Sequence, residues 1–151
     1  MRTRERWILR VAPLLFAVGL ALVYLALNDW FGAGDLSALV VWSIPFTLLM
    51  GSTVRRLSVR SAGWSRGRQL LLLGSAPAIL GFAYVFVVAL VLGPWIGAFS
   101  FPVAHIWMLA GALTGLLAAA LLDRQSRAAA GGVAGVLSVA YLALAFWSNH
   151  R

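Results

Sequence analysis

Between positions 70 and 122 the chain carries no Arg, Lys, Asp or Glu, and between 11 and 27 it again carries none. A soluble helix bundle keeps polar stripes, at a period of about 3.6 residues, wherever its helices face water. Here the most polar side chain between 11 and 27 is Tyr24, so these segments belong in hydrocarbon. Composition agrees: 62% of the 151 residues are hydrophobic and only 11% are charged, against about 25% charged in an ordinary soluble domain. A soluble enzyme and a disordered region are excluded. The lack of any Cys excludes a disulfide scaffold and thiol chemistry.

A membrane-spanning helix needs about 20 mainly apolar residues. Five stretches qualify, at 9–29, 36–54, 70–93, 102–122 and 129–147. The longest remainder, 55–69, is a basic loop too short to fold by itself. The expected fold is therefore all-α: a polytopic membrane bundle of five transmembrane helices, forming a single domain over 1–151. The first apolar run exceeds the core of about 7–15 residues typical of a cleaved signal peptide, and is read as a retained helix.

The charges supply an orientation. All twelve basic residues are Arg; eleven lie before or in the first turn of the first span, between the second and third, or between the fourth and fifth, and only Arg151 breaks the pattern. Cytoplasmic loops are the ones enriched in Lys and Arg, which predicts an internal N-terminus and an external C-terminus. Trp30, Phe31, Trp95, Phe99, Phe101, Phe146 and Trp147 gather at the outer ends and Trp7 at the inner one, as an aromatic belt does. Asp35 and Ser126 stand where helix caps are expected, and Pro102 suits a first helical turn. Arg used to the exclusion of Lys, with abundant Ala, Gly, Leu and Val, suggests a GC-rich genome. The expected address is a prokaryotic cell (inner) membrane.

Several features bear on function. Pro45 and Pro77 fall inside spans two and three as Ser-x-Pro, where proline frees a carbonyl and can kink the helix; Ser43 and Thr47 are placed to serve the first of these. Gly111 and Gly115 in span four and Gly131 and Gly135 in span five form small-xxx-small patterns, and predict that these two spans pair. Arg55, Arg56, Arg60, Arg66 and Arg68 are expected to contact anionic lipids at the cytoplasmic surface, where each is worth about 1 kcal/mol. Topology explains the basic balance, so no nucleic acid is expected. Asn28, Asp29, Asp35 and His105 form a candidate polar cluster at the outer face. No metal, cofactor or nucleophile signature is found, and no cofactor is expected. The leading functional expectation is an accessory or structural subunit packing against larger membrane partners or a second copy. A carrier or channel for a neutral or lipid-like substrate, with Pro45 and Pro77 mobile, is the second. A membrane enzyme acting through His105 and Asp29 or Asp35 is the third.

Overall fold

The computed structural model describes residues 3–27, 33–92 and 94–149, with the side chains of 33–36, 38, 39, 92, 94–103, 148 and 149 excepted. Five α-helices are found among these residues, and no strand: α1 (Thr3–Leu27), α2 (Ala33–Arg60), α3 (Arg66–Leu92), α4 (Pro94–Leu122) and α5 (Arg127–Asn149). In hydrocarbon every backbone group must be satisfied within the segment, and a helix does this. Among the described residues four helices, α1, α3, α4 and α5, are long and apolar enough to cross a membrane. Large apolar side chains cover the outer surface of the bundle, Leu90 being 84% and Leu48 72% exposed. Such a surface suits lipid, whereas in water it invites aggregation. The chain is built as a multi-pass membrane bundle.

The helices run beyond the expected limits. The stretch expected as a basic loop at 55–69 is mostly helix: α2 continues to Arg60 and α3 begins at Arg66. Two side chains support the tight turn between them. The Ser58 hydroxyl donates to the Val54 carbonyl at 2.7 Å, and the buried Gln69 amide donates to the Ser61 carbonyl at 3.3 Å. The expected outer loop at 94–101 is also helical, so Pro102 lies within α4 rather than in its first turn, and Asp35 lies inside α2. Ser126 directly precedes α5, at the end of a turn capped by Asp123. A short 3-10 turn (Arg124–Ser126) precedes α5, and the Asp123 carboxylate accepts from the Gln125 amide at 3.0 Å and the Ser126 hydroxyl at 3.1 Å.

Helices in lipid gain nothing from excluding water, so close contact between small residues holds them together. Accordingly α4 is the central helix, 61% of its apolar window being buried against 17% for α5. Its tightest contact is with α3, where Gly81 lies on the Trp107 carbonyl, Gly111 on the Pro77 carbonyl and Gly115 on the Leu73 carbonyl. A Cβ at any of the three would overlap backbone. Spans four and five do pack together, but not through their glycines: Gly111 and Gly115 face α3, while Gly131 and Gly135 have nothing within 4 Å of where a Cβ would lie. A spacing of four sets two glycines on one face, but it does not say which neighbour that face meets.

The prolines explain part of this geometry. Pro77 has no N–H to give the carbonyl four residues back, that of Leu73. That freed oxygen is the one pressed against Gly115, a Cα–H···O approach that only glycine allows at such range. At Pro45 the freed carbonyl is that of Val41, and the two carbonyls that follow it each accept a side-chain hydroxyl. The Tyr84 hydroxyl of α3 donates to the Trp42 carbonyl at 2.6 Å, while the Thr47 hydroxyl donates to that of Ser43 at 2.6 Å. Tyr84 also meets Phe46 and Trp107, with ring centroids 5.4 and 5.5 Å away, and so joins α2, α3 and α4 at the core.

A looser form of this arrangement occurs in α1 and α2. Pro13 frees the carbonyl of Leu9, and Leu9 faces Gly51 of α2. Leu9, Pro13 and Gly51 precede Leu73, Pro77 and Gly115 by the same 64 positions. Burial follows this register too: Ala17, Ala21 and Tyr24 of α1 correspond to Gly81, Val85 and Val88 of α3, and all are buried. Two helical hairpins, α1/α2 and α3/α4, thus share one packing register, and α5 adds a fifth helix.

Candidate functional site

The α1/α2 hairpin differs from its counterpart at the end that carries the arginines. Antiparallel packing brings the N-terminal half of α1 beside the C-terminal half of α2, and a cleft of about 360 Å³ opens between them. Arg6 and Arg10 line it from α1 and Arg55 from α2, with Leu9, Leu48 and Gly51 as its apolar lining. Thr47 and Ser52 complete the lining. Their hydroxyl protons are committed to their own helix, on the Ser43 and Leu49 carbonyls at 2.6 and 2.9 Å, so their oxygens remain as acceptors. A second, shallower basin of about 640 Å³ continues outward between Arg6, Arg55, Arg56, Val59 and Arg60. Five arginines from two helices therefore line two depressions that share Arg6 and Arg55.

The remaining basic residues are placed differently. Arg66 reaches Asp123 with its Nε at 3.3 Å, tying the start of α3 to the end of α4. Arg68 lines a separate open hollow of about 480 Å³ with Gly63, Trp64 and Ser65. The five arginines expected to act as one lipid-facing group are thus split. Arg55, Arg56 and Arg60 join Arg6 and Arg10, whereas Arg66 and Arg68 lie with the turns that follow α2 and α4. Sequence reasoning did not link Arg6 and Arg10 to this group. The recurrence of Pro13 and Gly51 as Pro77 and Gly115 is the signal that places α1 against α2 in this register.

Asp123 gives this end of the bundle a pH dependence. Its carboxyl is held below the ordinary carboxylate range, first by the Gln125 amide and then by the Ser126 hydroxyl and Arg66. A carboxylate favoured in the folded state stabilises it above the ordinary carboxylate range, and that contribution is lost as pH falls through the lowered native value. Thermal unfolding between neutral and acid pH is expected to show this loss in the native chain. Asp123→Asn should remove that part of the acid sensitivity. An unchanged acid profile in the variant would show that the capping contacts contribute nothing.

At the opposite end, His105 of α4 rests between Tyr24 of α1 and Tyr141 of α5, with ring centroids 5.3 Å away on both sides. The Tyr141 hydroxyl donates to the Leu20 carbonyl at 3.3 Å. His105 thus sits at the centre of a tilted aromatic cluster joining three helices. The other members of the expected outer cluster, Asn28, Asp29 and the side chain of Asp35, lie outside the described residues, as does His150. No group of three or more His, Cys, Asp or Glu that could hold a metal is gathered among the described residues. Pro45 is exposed on α2, while Pro77 is buried against Gly115.

No family model matches this chain, nor does any curated protein or solved structure.

Proposed function

We propose that the chain is a five-span protein of a prokaryotic cell membrane, with N-terminus inside and C-terminus outside, and that it acts as an accessory subunit packing against a larger membrane partner. The observation that carries this reading is the outward face of α5. Elsewhere in the bundle, glycine at a spacing of four lets another helix approach to backbone contact. On α5, Gly131 and Gly135 carry the same spacing and meet nothing within 4 Å, on a helix of which only 17% of the apolar window is buried. A smooth face of this kind favours a second helix over lipid chains, because backbones can approach closely there. The orientation is supported by the arginines at the start of α1, the end of α2 and the start of α3, which the hairpin contacts bring to one end.

Affinity purification in mild detergent should recover a stoichiometric membrane protein with the chain. Gly131→Leu/Gly135→Leu should release that protein while leaving the chain folded, since neither glycine supports an internal contact. A clean monomer with no partner would overturn the subunit reading. Reporters fused to the two ends test the topology independently, and an internal C-terminus would overturn the five-span count.

A further inference from the structure

The α3/α4 hairpin shows how this packing register closes when nothing is to be bound. There Gly74 lies under the Leu116 side chain, about 3.6 Å from where a Cβ would be, and Ala112 and Ala119 are buried. The residues 64 positions earlier are Arg10, Ser52, Leu48 and Arg55; Gly51 still meets the backbone of Leu9 and Arg10, and these four side chains line the cleft. The two hairpins thus share one glycine (Gly51, Gly115) and one proline (Pro13, Pro77) in register, and differ at the positions where one carries cations and an opening.

Acids are few nearby. Among residues with described side chains they are Glu5, beside Arg6 on α1, and Asp123, which is engaged with Arg66. Guanidiniums gathered around one cleft repel one another, and a bound anion relieves that repulsion. Their planar forks match the oxygens of phosphate in paired, charge-assisted hydrogen bonds. An apolar track leads away from the cations along α2. Leu48, Ile44 and Val41 are spaced four and three residues apart on one helical face, and are 72%, 55% and 59% exposed.

The geometry points to a binding site for one phospholipid with an anionic headgroup, its phosphate between Arg6, Arg10 and Arg55 and an acyl chain along Leu48, Ile44 and Val41. A free phosphate offers the same oxygens, but only a lipid uses the apolar track. This inference rests on the reading of the arginine-bearing end as a membrane surface, not on any protein partner.

The test uses the purified full chain in mild detergent at about 0.15 M salt, where charges further apart than about 8 Å are largely screened. Phosphatidylglycerol or phosphatidylcholine is titrated in, and bound lipid is counted by native mass spectrometry. One phosphatidylglycerol per chain should bind in preference to phosphatidylcholine. Arg10→Ala/Arg55→Ala should weaken it on the order of a hundredfold, since each variant removes a charge-assisted contact worth about tenfold or more. Arg68→Ala/Arg124→Ala removes the same charge away from the cleft and should leave binding nearly unchanged. Ser52→Leu, which copies Leu116, keeps every arginine and should still lose the lipid by closing the cleft; an unshifted melting temperature shows each variant folded. Equal losses in the two double arginine variants would overturn the site in favour of general surface attraction. Equal binding of phosphatidylcholine would overturn it as well, as would displacement of the lipid by excess inorganic phosphate. Since no partner protein is read out, failure here is distinct from failure of the subunit reading.

Discussion

Gly115→Ala should sharply lower the melting temperature of the purified bundle, whereas Gly135→Ala should leave it unchanged or raise it. At Gly115 the added methyl meets the Leu73 carbonyl and the Pro77 ring. Neither can yield, because one is backbone and the other is a ring fixed to it. Relief requires α3 and α4 to separate along the contact that also includes Gly81 and Gly111. Inserting a methyl into a closed contact typically costs about 1–3 kcal/mol, and a backbone-to-backbone contact places this one at or above the upper end. At Gly135 nothing lies within 4 Å, and alanine gains up to about 1 kcal/mol of helix propensity over glycine. Circular dichroism against temperature in one detergent, with both variants side by side, reads the contrast. Equal melting temperatures would mean that α3 and α4 do not meet through their glycines.

Trp107→Ala is the other large effect, and its physical origin is different. Trp107 is 4% exposed and packs on Phe46 and Tyr84 with ring centroids 5.0 and 5.5 Å away. In a soluble protein part of the cost of such a truncation is transfer of apolar surface, a gain that lipid supplies almost equally to folded and separated helices. What remains is the cavity and the lost dispersion contacts, so about 3 kcal/mol is expected, the lower end of the range for removing a core aromatic. The loss should be shared by three helices, because the cluster holds α2 through Phe46, α3 through Tyr84 and α4 through Trp107 itself. Trp107→Phe, which keeps a ring in place, should recover most of the stability. A Trp107→Ala protein that melts at the native temperature would show that the cluster carries no packing energy.

The helical class and the membrane setting were legible because hydrocarbon imposes a simple condition, long runs without charge, that can be counted along the chain. Helix limits were less legible. Arg55, Arg56 and Arg60 read as loop because they are charged, yet the helix continues through them. Arginine is a good helix former, and its long side chain can carry the charge outward from a backbone that stays hydrogen-bonded. The candidate site was half visible. Its α2 arginines were singled out, but Arg6 and Arg10 stood apart in sequence, and only the packing of α1 on α2 brings them to the same cleft. His105 was singled out as polar; its place between two tyrosines on other helices has no local signal.

From the sequence alone followed the solvent, the helical class and the side of the bundle on which positive charge gathers. Each depends on the identity of residues, summed over a segment. The tertiary structure decided which face of each helix meets which neighbour. It closed α3 on α4 through Gly81, Gly111 and Gly115, left Gly131 and Gly135 facing outward, and opened α1 from α2 where Arg10, Ser52 and Arg55 replace small and apolar residues. The reason is geometric. A helix can turn about its own axis without changing any local preference, and only contacts between distant segments determine where it stops.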